Sequence, residues 1–271
     1  MNRAWKPCVA AVAAVAMLAA CATGTPTLSR DQIAAVVGAP DRSAGDRFND
    51  QRRKPADMLA FIGVRPGMTA LDVSAARGYT TELIARAVGP GGKVYGQVPP
   101  PRNPAQPPPP QPEGASAPPP PGTPPPLPTF AERQRNPALA HMQLVRLPFE
   151  NPVPQEVAEG KLDLVTFMFN YHDMGHLGVD RASMNRAIFR ALKPGGIYVI
   201  ADHAGRAGTG ISESGTLHRV EEEFVVREVE AAGFRLAGRG DFLRNPRDPR
   251  DRNTPEPPMP KDDFVLKFVK P

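Results

Sequence analysis

The sequence predicts an α/β fold, an open and largely parallel β-sheet with helices on both faces. Short runs of apolar and β-branched residues have the length of buried strands, and segments of helix length separate them along the chain. This alternation favours parallel strands, with the intervening helices packed against the sheet. The 271 residues fit one domain with extensions. Cys8 and Cys21, the two cysteines, both lie near the N-terminus, which predicts no disulfide framework within the domain.

Seven strands are predicted from the apolar runs, at residues 69–73, 93–96, 141–147, 162–169, 197–202, 234–238 and 263–269. Capping residues, prolines and glycines mark the helices between them. Ser29 starts a short helix that runs through Val37, and Pro55 starts a second helix that stops at Gly63. Later helices begin at Thr80 or Thr81, at Asp180 and at Glu221, and end near Val88, Leu192 and Ala232.

Residues 99–128 form an insertion that holds 17 of the 35 prolines in the chain. Proline fixes φ and has no amide hydrogen, so this stretch cannot be a helix or a central strand. We expect a disordered, extended spacer; the alternative is a ligand for a proline-binding partner. A second segment of weak structure covers 244–263. The expected organisation is an N-terminal linker with a short helix at 22–53, followed by one domain at 54–271 that the insertion interrupts.

Residues 1–20 resemble a bacterial signal peptide. Arg3 and Lys6 form a basic region, an apolar stretch runs from Val9 to Ala20, and Leu-Ala-Ala-Cys, ending at Cys21, resembles a lipobox. The resemblance implies cleavage before Cys21, lipidation of that cysteine and export to the periplasmic side of the cell envelope. Because alanine follows the cysteine, we expect sorting to the outer membrane. The alternative is an ordinary signal peptide in which Cys21 has no role.

Three successive segments resemble the motifs of class I S-adenosylmethionine-dependent methyltransferases. They are LDVSAARGYTTELIARAVGPGGKVYG at 71–96, KLDLVTFMFNYHDM at 161–174 and ALKPGGIYVIADH at 191–203. The chain is most similar to a group of predicted bacterial methyltransferases with the FNYHDM and ADH segments. The resemblance implies a Rossmann-like, seven-stranded sheet in the order 3-2-1-4-5-7-6, with strand 7 antiparallel and helices on both faces. It also implies S-adenosylmethionine as the cofactor.

The resemblance places the cofactor mainly on the loop after the first strand. The assigned residues are Asp72, Ser74, Ala76, Gly78, Tyr79, Gln97 and Asn170. The family motif has three glycines in this loop, of which only Gly78 is present, while Ser74 and Ala76 each add a Cβ where glycine permits positive φ. The acid that binds the ribose at the end of the second strand is also absent. Gln97 stands near that position, and its amide can bind a diol without charge.

Polar residues follow the fourth and fifth strands abruptly and form the predicted acceptor side of the site. The catalytic candidates are Tyr171, His172, Asp173 and His203. Because neighbouring parallel strands end at one edge, we expect Tyr171, His172 and His203 to face the same pocket. His172 is predicted to be a general base that Asp173 orients, since an ordinary imidazole titrates near pH 6.5. A structural hydrogen-bond network is the alternative. No metal site is predicted, because the glycine between His172 and His176 disfavours a chelating helix.

Together these patterns predict an S-adenosylmethionine-dependent methyltransferase acting on an unknown small or lipid-like acceptor. The alternative is a degenerate methyltransferase fold that serves as a binding or interaction module at the cell envelope. The net charge of +5 is modest and no basic patch is concentrated in the sequence, which argues against a nucleic-acid partner. The expected membrane attachment is the lipid anchor, since no apolar run reaches the ~20 residues that span a bilayer.

We predict that Cys21 carries a lipid. Bacteria that express the protein and are fed labelled palmitate should label the wild type and Cys8→Ser, but not Cys21→Ser, because lipidation needs the thiol at the lipobox position. Cys8 is the matched control, as it is the other cysteine of the sequence. Equal labelling of the Cys21→Ser chain would contradict the prediction.

Overall fold

The structure, a computed structural model, describes residues 25–101, 125–255 and 259–271. Its strands are β1 (Thr69–Val73), β2 (Lys93–Val98), β3 (Met142–Arg146), β4 (Leu162–Met168), β5 (Leu192–His203), β6 (Arg235–Gly240) and β7 (Asp263–Val269). They form one seven-stranded sheet in the order β3-β2-β1-β4-β5-β7-β6. The pairs from β3 to β5 are parallel, and β7 is antiparallel to both of its neighbours. The predicted fold is therefore confirmed.

Helices cover both faces of this sheet. They are α1 (Arg30–Gly38), α2 (Ala44–Arg53), α3 (Pro55–Ile62), α4 (Tyr79–Val88), α5 (Phe130–Gln134), α6 (Asp173–His176), α7 (Arg181–Ala191), α8 (Ser214–Leu217) and α9 (Glu222–Ala231). On one face, Leu59 of α3 and Ile84 of α4 share a buried cluster with Ala70 of β1. On the other face, Ile188 of α7 packs in the same cluster as Leu71. Ala70 and Leu71, which are adjacent in β1, thus pack into hydrophobic cores on opposite faces of the sheet, because side chains alternate along a strand.

None of the helices in the described ranges has the length and apolar composition that crossing a bilayer requires. The predicted signal peptide and lipobox lie outside the described residues.

The segment before the domain contains more helix than the sequence predicts. A linker with one short helix was expected at 22–53, whereas α2 occupies Ala44–Arg53 in addition to α1. The Ser43 side chain caps α2 by accepting a hydrogen bond from the amide of Asp46 at 3.0 Å. Helix α2 is highly polar and shows no apolar stripe, so the usual periodicity signal is missing.

The C-terminal end of the proline-rich insertion belongs to the folded domain, so the predicted boundary at residue 128 is wrong. Arg77 Nε donates a hydrogen bond to the carbonyl of Leu127 at 2.7 Å. A Cβ placed on Gly45 of α2 would lie 2.6 Å from the carbonyl oxygen of Pro125, so the two backbones are in close contact. Residues 125–128 therefore lie against α2 and the loop that follows β1.

A buried ion-pair network fixes this region. Arg133 of α5 pairs with Asp46 of α2 at 2.7 Å and with Glu82 of α4, and its Nε donates to the carbonyl of Arg77 at 2.7 Å. The two carboxylates and the guanidinium are all buried. Charges removed from water in this way need their partners, so the network ties α2, α4 and α5 together.

The described residues of the segment 244–263, which was expected to have weak structure, consist mostly of turns and irregular chain, and one buried cation ties them to the domain. Arg219 is fully buried, pairs with Asp248 at 2.8 Å and donates to the carbonyls of Ala204 and Arg252. Asp248 and the carbonyl of Arg252 connect these turns to the guanidinium, and Asp262 accepts a further bond from the amide of Asn245 at 2.8 Å.

We predict that Arg133→Met lowers the free energy of unfolding by about 3–5 kcal/mol, because buried Asp46 loses its ion-pair partner and Glu82 keeps only Arg86, while the apolar stem is kept. Urea unfolding of the full chain, followed by circular dichroism, measures the change. Arg135→Met is the matched control: Arg135 is exposed on the same short segment, and its replacement should cost less than about 0.5 kcal/mol. Equal losses for the two variants would contradict the role of the network.

Candidate functional site

A crevice of about 160 Å³ opens at the carboxyl ends of β1 and β4. Five residues assigned to the cofactor from the sequence line it, namely Asp72, Ser74, Ala76, Tyr79 and Asn170. Asn49 and Arg53 of α2 form another wall, and Leu127 of the proline-rich segment also contacts the space. Open α/β sheets bind their ligands at this edge, where the strand order reverses.

The loop after β1 has the backbone conformation of a glycine-rich loop, although two of the three motif glycines are absent. Ser74 has φ of 57°, Ala76 has φ of 48° and Gly78 has φ of 83°. All three are left-handed, a conformation that costs a non-glycine residue about 1–3 kcal/mol. The surrounding structure holds the loop in this shape, since the amide of Ala75 donates to the carbonyl of Gln97 at 2.7 Å. Alternate residues of the loop are therefore in the conformation that the missing glycines would favour.

Gln97 does not reach the crevice, and its predicted contact with a ribose is wrong. Its side chain is fully buried: Oε1 accepts from the amide of Ser74 at 2.9 Å and Nε2 donates to the carbonyl of Leu147 at 2.6 Å. Both ends of the amide are thus used between the loop and the chain after β3. Gln97 supports the shape of the loop instead of contacting a ligand.

Gly78 has a packing role that the sequence did not reveal. A Cβ at this position would lie 2.9 Å from the ring of Phe130 on α5. Glycine is therefore needed both for its positive φ and for the close approach of α5. The missing side chain faces the aromatic ring, so a larger residue here would first disturb packing rather than ligand contact.

Asp72 is buried at the base of the crevice and accepts two hydroxyl hydrogen bonds. Thr81 donates at 2.6 Å and Thr166 donates at 2.8 Å. Burial raises the pKa of Asp72 to about 6, although the two hydroxyl bonds act in the opposite direction. The carboxyl group therefore links β1 to α4 and β4 directly below the loop.

Arg53 is a cation of the crevice that sequence reasoning missed. Its guanidinium lies 3.8 Å from the centroid of the Phe169 ring, and its buried Nε has no hydrogen-bond partner among the described residues. Burial and the neighbouring charge of Arg52 lower the pKa of Arg53 to about 9, while Asp72 and Asp263 act in the opposite direction. An unpaired, desolvated cation is costly unless an anion joins it. The available signal was the Arg52-Arg53 pair at the end of a polar segment.

His172 lies between two carboxylates. Its Nδ1 is 2.7 Å from Asp202 Oδ1, its Nε2 is 3.1 Å from Asp173 Oδ1, and its backbone amide donates to Asp202 at 2.6 Å. Burial opposes the charge, but Asp202 and Asp173 raise the pKa of His172 to about 10. The side chain is also buried. Both ring nitrogens thus lie against carboxylates, so the structure does not present His172 as the free base that the sequence predicts.

His203 lies beside His172 and lines an open cavity. Its ring centroid is 5.6 Å from that of His172, so the structure brings these two predicted residues together. His203 lines a cavity of about 830 Å³, and its Nδ1 lies 2.6 Å from Asp263 Oδ1. Burial lowers the pKa of His203 well below its ordinary value and raises that of Asp263 to about 7. Asp263, the first residue of β7, was not among the predicted site residues.

Tyr171 does not share this pocket, and its predicted place there is wrong. The residue is fully buried in the core under α7 and α9. Its hydroxyl donates to Glu228 Oε2 at 2.9 Å and accepts from Asn185 Nδ2 at 3.0 Å. The ring packs 5.6 Å from that of Phe167. Tyr171 and His172 are adjacent in sequence but point to opposite sides of the chain.

No protein-family model and no curated protein matches the sequence. Solved structures do match the fold. A SAM-dependent methyltransferase from Aquifex aeolicus has a TM-score of 0.55 at 17% identity, over 90% of this chain and 100% of that chain. Geranyl diphosphate C-methyltransferase from Streptomyces coelicolor has a TM-score of 0.52 at 12% identity, over 91% and 90%. The chain has the S-adenosylmethionine-dependent methyltransferase fold.

Within this methyltransferase fold, one hydrogen bond connects the crevice to the histidines. Asn170 lines the crevice, and its Nδ2 donates to Asp173 Oδ2 at 2.8 Å. Asp173 also contacts His172, and these contacts lower its pKa despite burial. The two predicted parts of the site are thus adjacent and physically linked.

We predict that Ala76→Gly raises the free energy of unfolding by about 1 kcal/mol, because glycine adopts the observed positive φ without strain. Denaturant unfolding of the full chain measures the change. Ala75→Gly is the matched control, since Ala75 is buried and is not in the left-handed region. That variant should lose about 1 kcal/mol through the missing methyl group and the added backbone freedom. A loss of stability in Ala76→Gly would show that its conformation is not strained.

Proposed function

We propose that this chain is a methyltransferase that transfers a methyl group from S-adenosylmethionine to a small-molecule acceptor. The observation that carries the proposal is the left-handed backbone at Ser74 and Ala76. Strain of this kind persists where the surroundings enforce it, and it concentrates at ligand sites. The loop geometry therefore supports a cofactor site more strongly than its residue types do. The similar methyltransferase from Streptomyces coelicolor was solved with S-adenosyl-L-homocysteine.

The crevice residues fit the charges of the proposed cofactor. Arg53, whose Nε has no hydrogen-bond partner among the described residues, supplies a cation for the carboxylate of the methionine part, and Asn49 and Asn170 supply amide groups beside it. At about 160 Å³ the crevice is smaller than the ~300–1,000 Å³ typical of small-molecule pockets.

The acceptor side is proposed to be the cavity at His203. Methyl transfer is an in-line displacement, so the protein has to align a nucleophile with the methyl group and, where needed, accept its proton. His203 is our candidate base because it faces the cavity while Asp263 holds its Nδ1. His172 supports it from behind through Asp202, which accepts bonds from both residues. The acceptor is a small molecule that enters this cavity.

We further propose that the enzyme is a lipoprotein of the cell envelope, anchored through Cys21 on the periplasmic side and sorted to the outer membrane. The support is the order of basic residues, apolar stretch and Leu-Ala-Ala-Cys at residues 18–21. The anchor brings the acceptor cavity close to a membrane surface, which suits a small or lipid-like acceptor.

We predict that Arg53→Gln weakens the binding of S-adenosylmethionine by about 10–100-fold, because a charge-assisted hydrogen bond to the carboxylate is lost. Isothermal titration of the full chain with the cofactor measures the change. Arg52→Gln is the matched control: the neighbouring cation faces the larger cavity and should leave the affinity within about threefold. No detectable binding to the wild type would overturn the proposed function. Equal losses in both variants would remove Arg53 from the cofactor site while leaving the function standing.

A further inference from the structure

Four of the five histidines in the sequence lie together at the carboxyl edge of the sheet. The ring centroid of His172 is 5.6 Å from that of His203 and 5.5 Å from that of His218, and His176 lies 5.8 Å from His218. Asp173 stands among them. The segments that contribute these side chains follow β4, end β5 and precede α9, so the fold assembles the group from distant parts of the chain.

We propose that His172, Asp173 and His218 form a binding site for one divalent transition-metal ion of the zinc type. One ligand atom from each residue lies within 4.8 Å of the other two. Nε2 of His172 is 3.1 Å from Oδ1 of Asp173, and Nδ1 of His218 is 3.4 Å from the same oxygen. Zinc bonds of about 2.0–2.1 Å in a tetrahedral arrangement put ligand atoms about 3.3–3.4 Å apart. The two separations from Asp173 lie near that spacing, and the two imidazole nitrogens lie within 4.8 Å of each other.

The ligand types also suit such an ion. Two imidazoles and one carboxylate are the protein ligands of many catalytic zinc sites, which leave a fourth position for water or substrate. The same ligand set also binds other first-row divalent metals, so the two nitrogen atoms and one oxygen atom define a class of metal ion and not zinc alone. His176 is not part of the group whose ligand atoms meet at this spacing, and its Nδ1 is paired with the hydroxyl of Ser214 at 2.9 Å.

Hydrogen bonds behind two of the three ligands support the assignment. Asp202 lies 2.7 Å from Nδ1 of His172 and is itself buried, so it fixes the ring and leaves Nε2 toward Asp173. This is the carboxylate–histidine arrangement that orients metal ligands in proteins. Asn170 donates to the other oxygen of Asp173 at 2.8 Å, which leaves Oδ1 toward the two imidazoles. Both supporting contacts exist without an ion and preorganise the site.

The backbone of His218 provides an independent sign of constraint. Its φ is 50°, a left-handed conformation that is unfavourable for histidine. The residue lies directly after α8 and before the buried Arg219, which holds the chain in place. This conformation brings Nδ1 to Asp173. About a quarter of the side chain of His218 and of Asp173 is exposed, so an ion can reach the group.

The position of the site suggests what the ion does. Asn170 links it to the crevice proposed for the cofactor, and the ring of His172 lies beside that of His203 at the acceptor cavity. A zinc-type ion lowers the pKa of an oxygen that it binds. At this place it would bind and orient an oxygen of the acceptor next to the transferred methyl group. This use rests on the proposed function, whereas the metal site itself does not.

The test measures metal binding alone. The full chain is stripped with a chelator and titrated with zinc sulfate by calorimetry, and metal content is measured after dialysis. We expect one ion per chain with micromolar or tighter affinity. Cobalt(II) in place of zinc should give the intense visible bands of a four-coordinate site without thiolate charge transfer. No binding, or a thiolate band that assigns the ion to Cys8 and Cys21, would overturn the proposal.

Variants identify the ligands. Asp173→Asn and His218→Asn should each weaken zinc binding by at least about 100-fold, since changes in merely supporting residues already cost 10–100-fold. Asparagine at position 218 tolerates the left-handed backbone, which keeps the loop intact. His141→Gln is the matched control, because His141 is remote from the site and bonds to the carbonyl of Ala85. It should bind zinc like wild type. Melting curves in chelator establish that each variant is folded, and a folded His218→Asn chain with wild-type affinity would refute the assignment.

Discussion

A single buried carboxylate joins the ends of the two central strands, and the geometry of the site depends on it. Asp202 at the end of β5 accepts from the backbone amide of His172 at 2.6 Å, from its ring at 2.7 Å and from the amide of His203 at 2.8 Å. Burying a charge is costly unless it is paired and hydrogen-bonded. Three short donors meet that condition, so both histidines are fixed by one group that has no exposure to solvent.

Two walls of the crevice come from parts of the chain whose sequence gives little indication of regular structure. Helix α2 and the segment around Leu127 contribute no apolar stripe, yet they form walls of the crevice. Charge pairing replaces apolar packing there: Arg133 connects Asp46 to Glu82 in the interior. The stability of a buried ion-pair network depends on exact geometry more than the stability of apolar packing does, because a charge left without its partner is strongly destabilising. The crevice is consequently built on residues whose positions are tightly coupled.

The sheet was predictable because its strands are short, apolar and bounded by glycine or proline, and these signals are local in sequence. The edge at which the site lies was predictable for the same reason. Side-chain direction was not. Tyr171 and His172 are neighbours, yet one enters the core beside Phe167 and the other faces Asp202. Gln97 was assigned by its position near a strand end, but its hydrogen bonds depend on the chain after β3. Only tertiary contacts decide such cases.

Strained backbone concentrates around the carboxyl edge of the sheet. The described residues contain six non-glycine residues with positive φ, namely Lys54, Ser74, Ala76, Phe169, His218 and Arg250. Ser74 and Ala76 line the crevice, Lys54 lines the acceptor cavity, and His218 belongs to the histidine group. Each such conformation costs about 1–3 kcal/mol and persists only where the surroundings enforce it. The strain therefore lies where the parallel strands end, beside the crevice, the larger cavity and the histidine group, even though two motif glycines are absent.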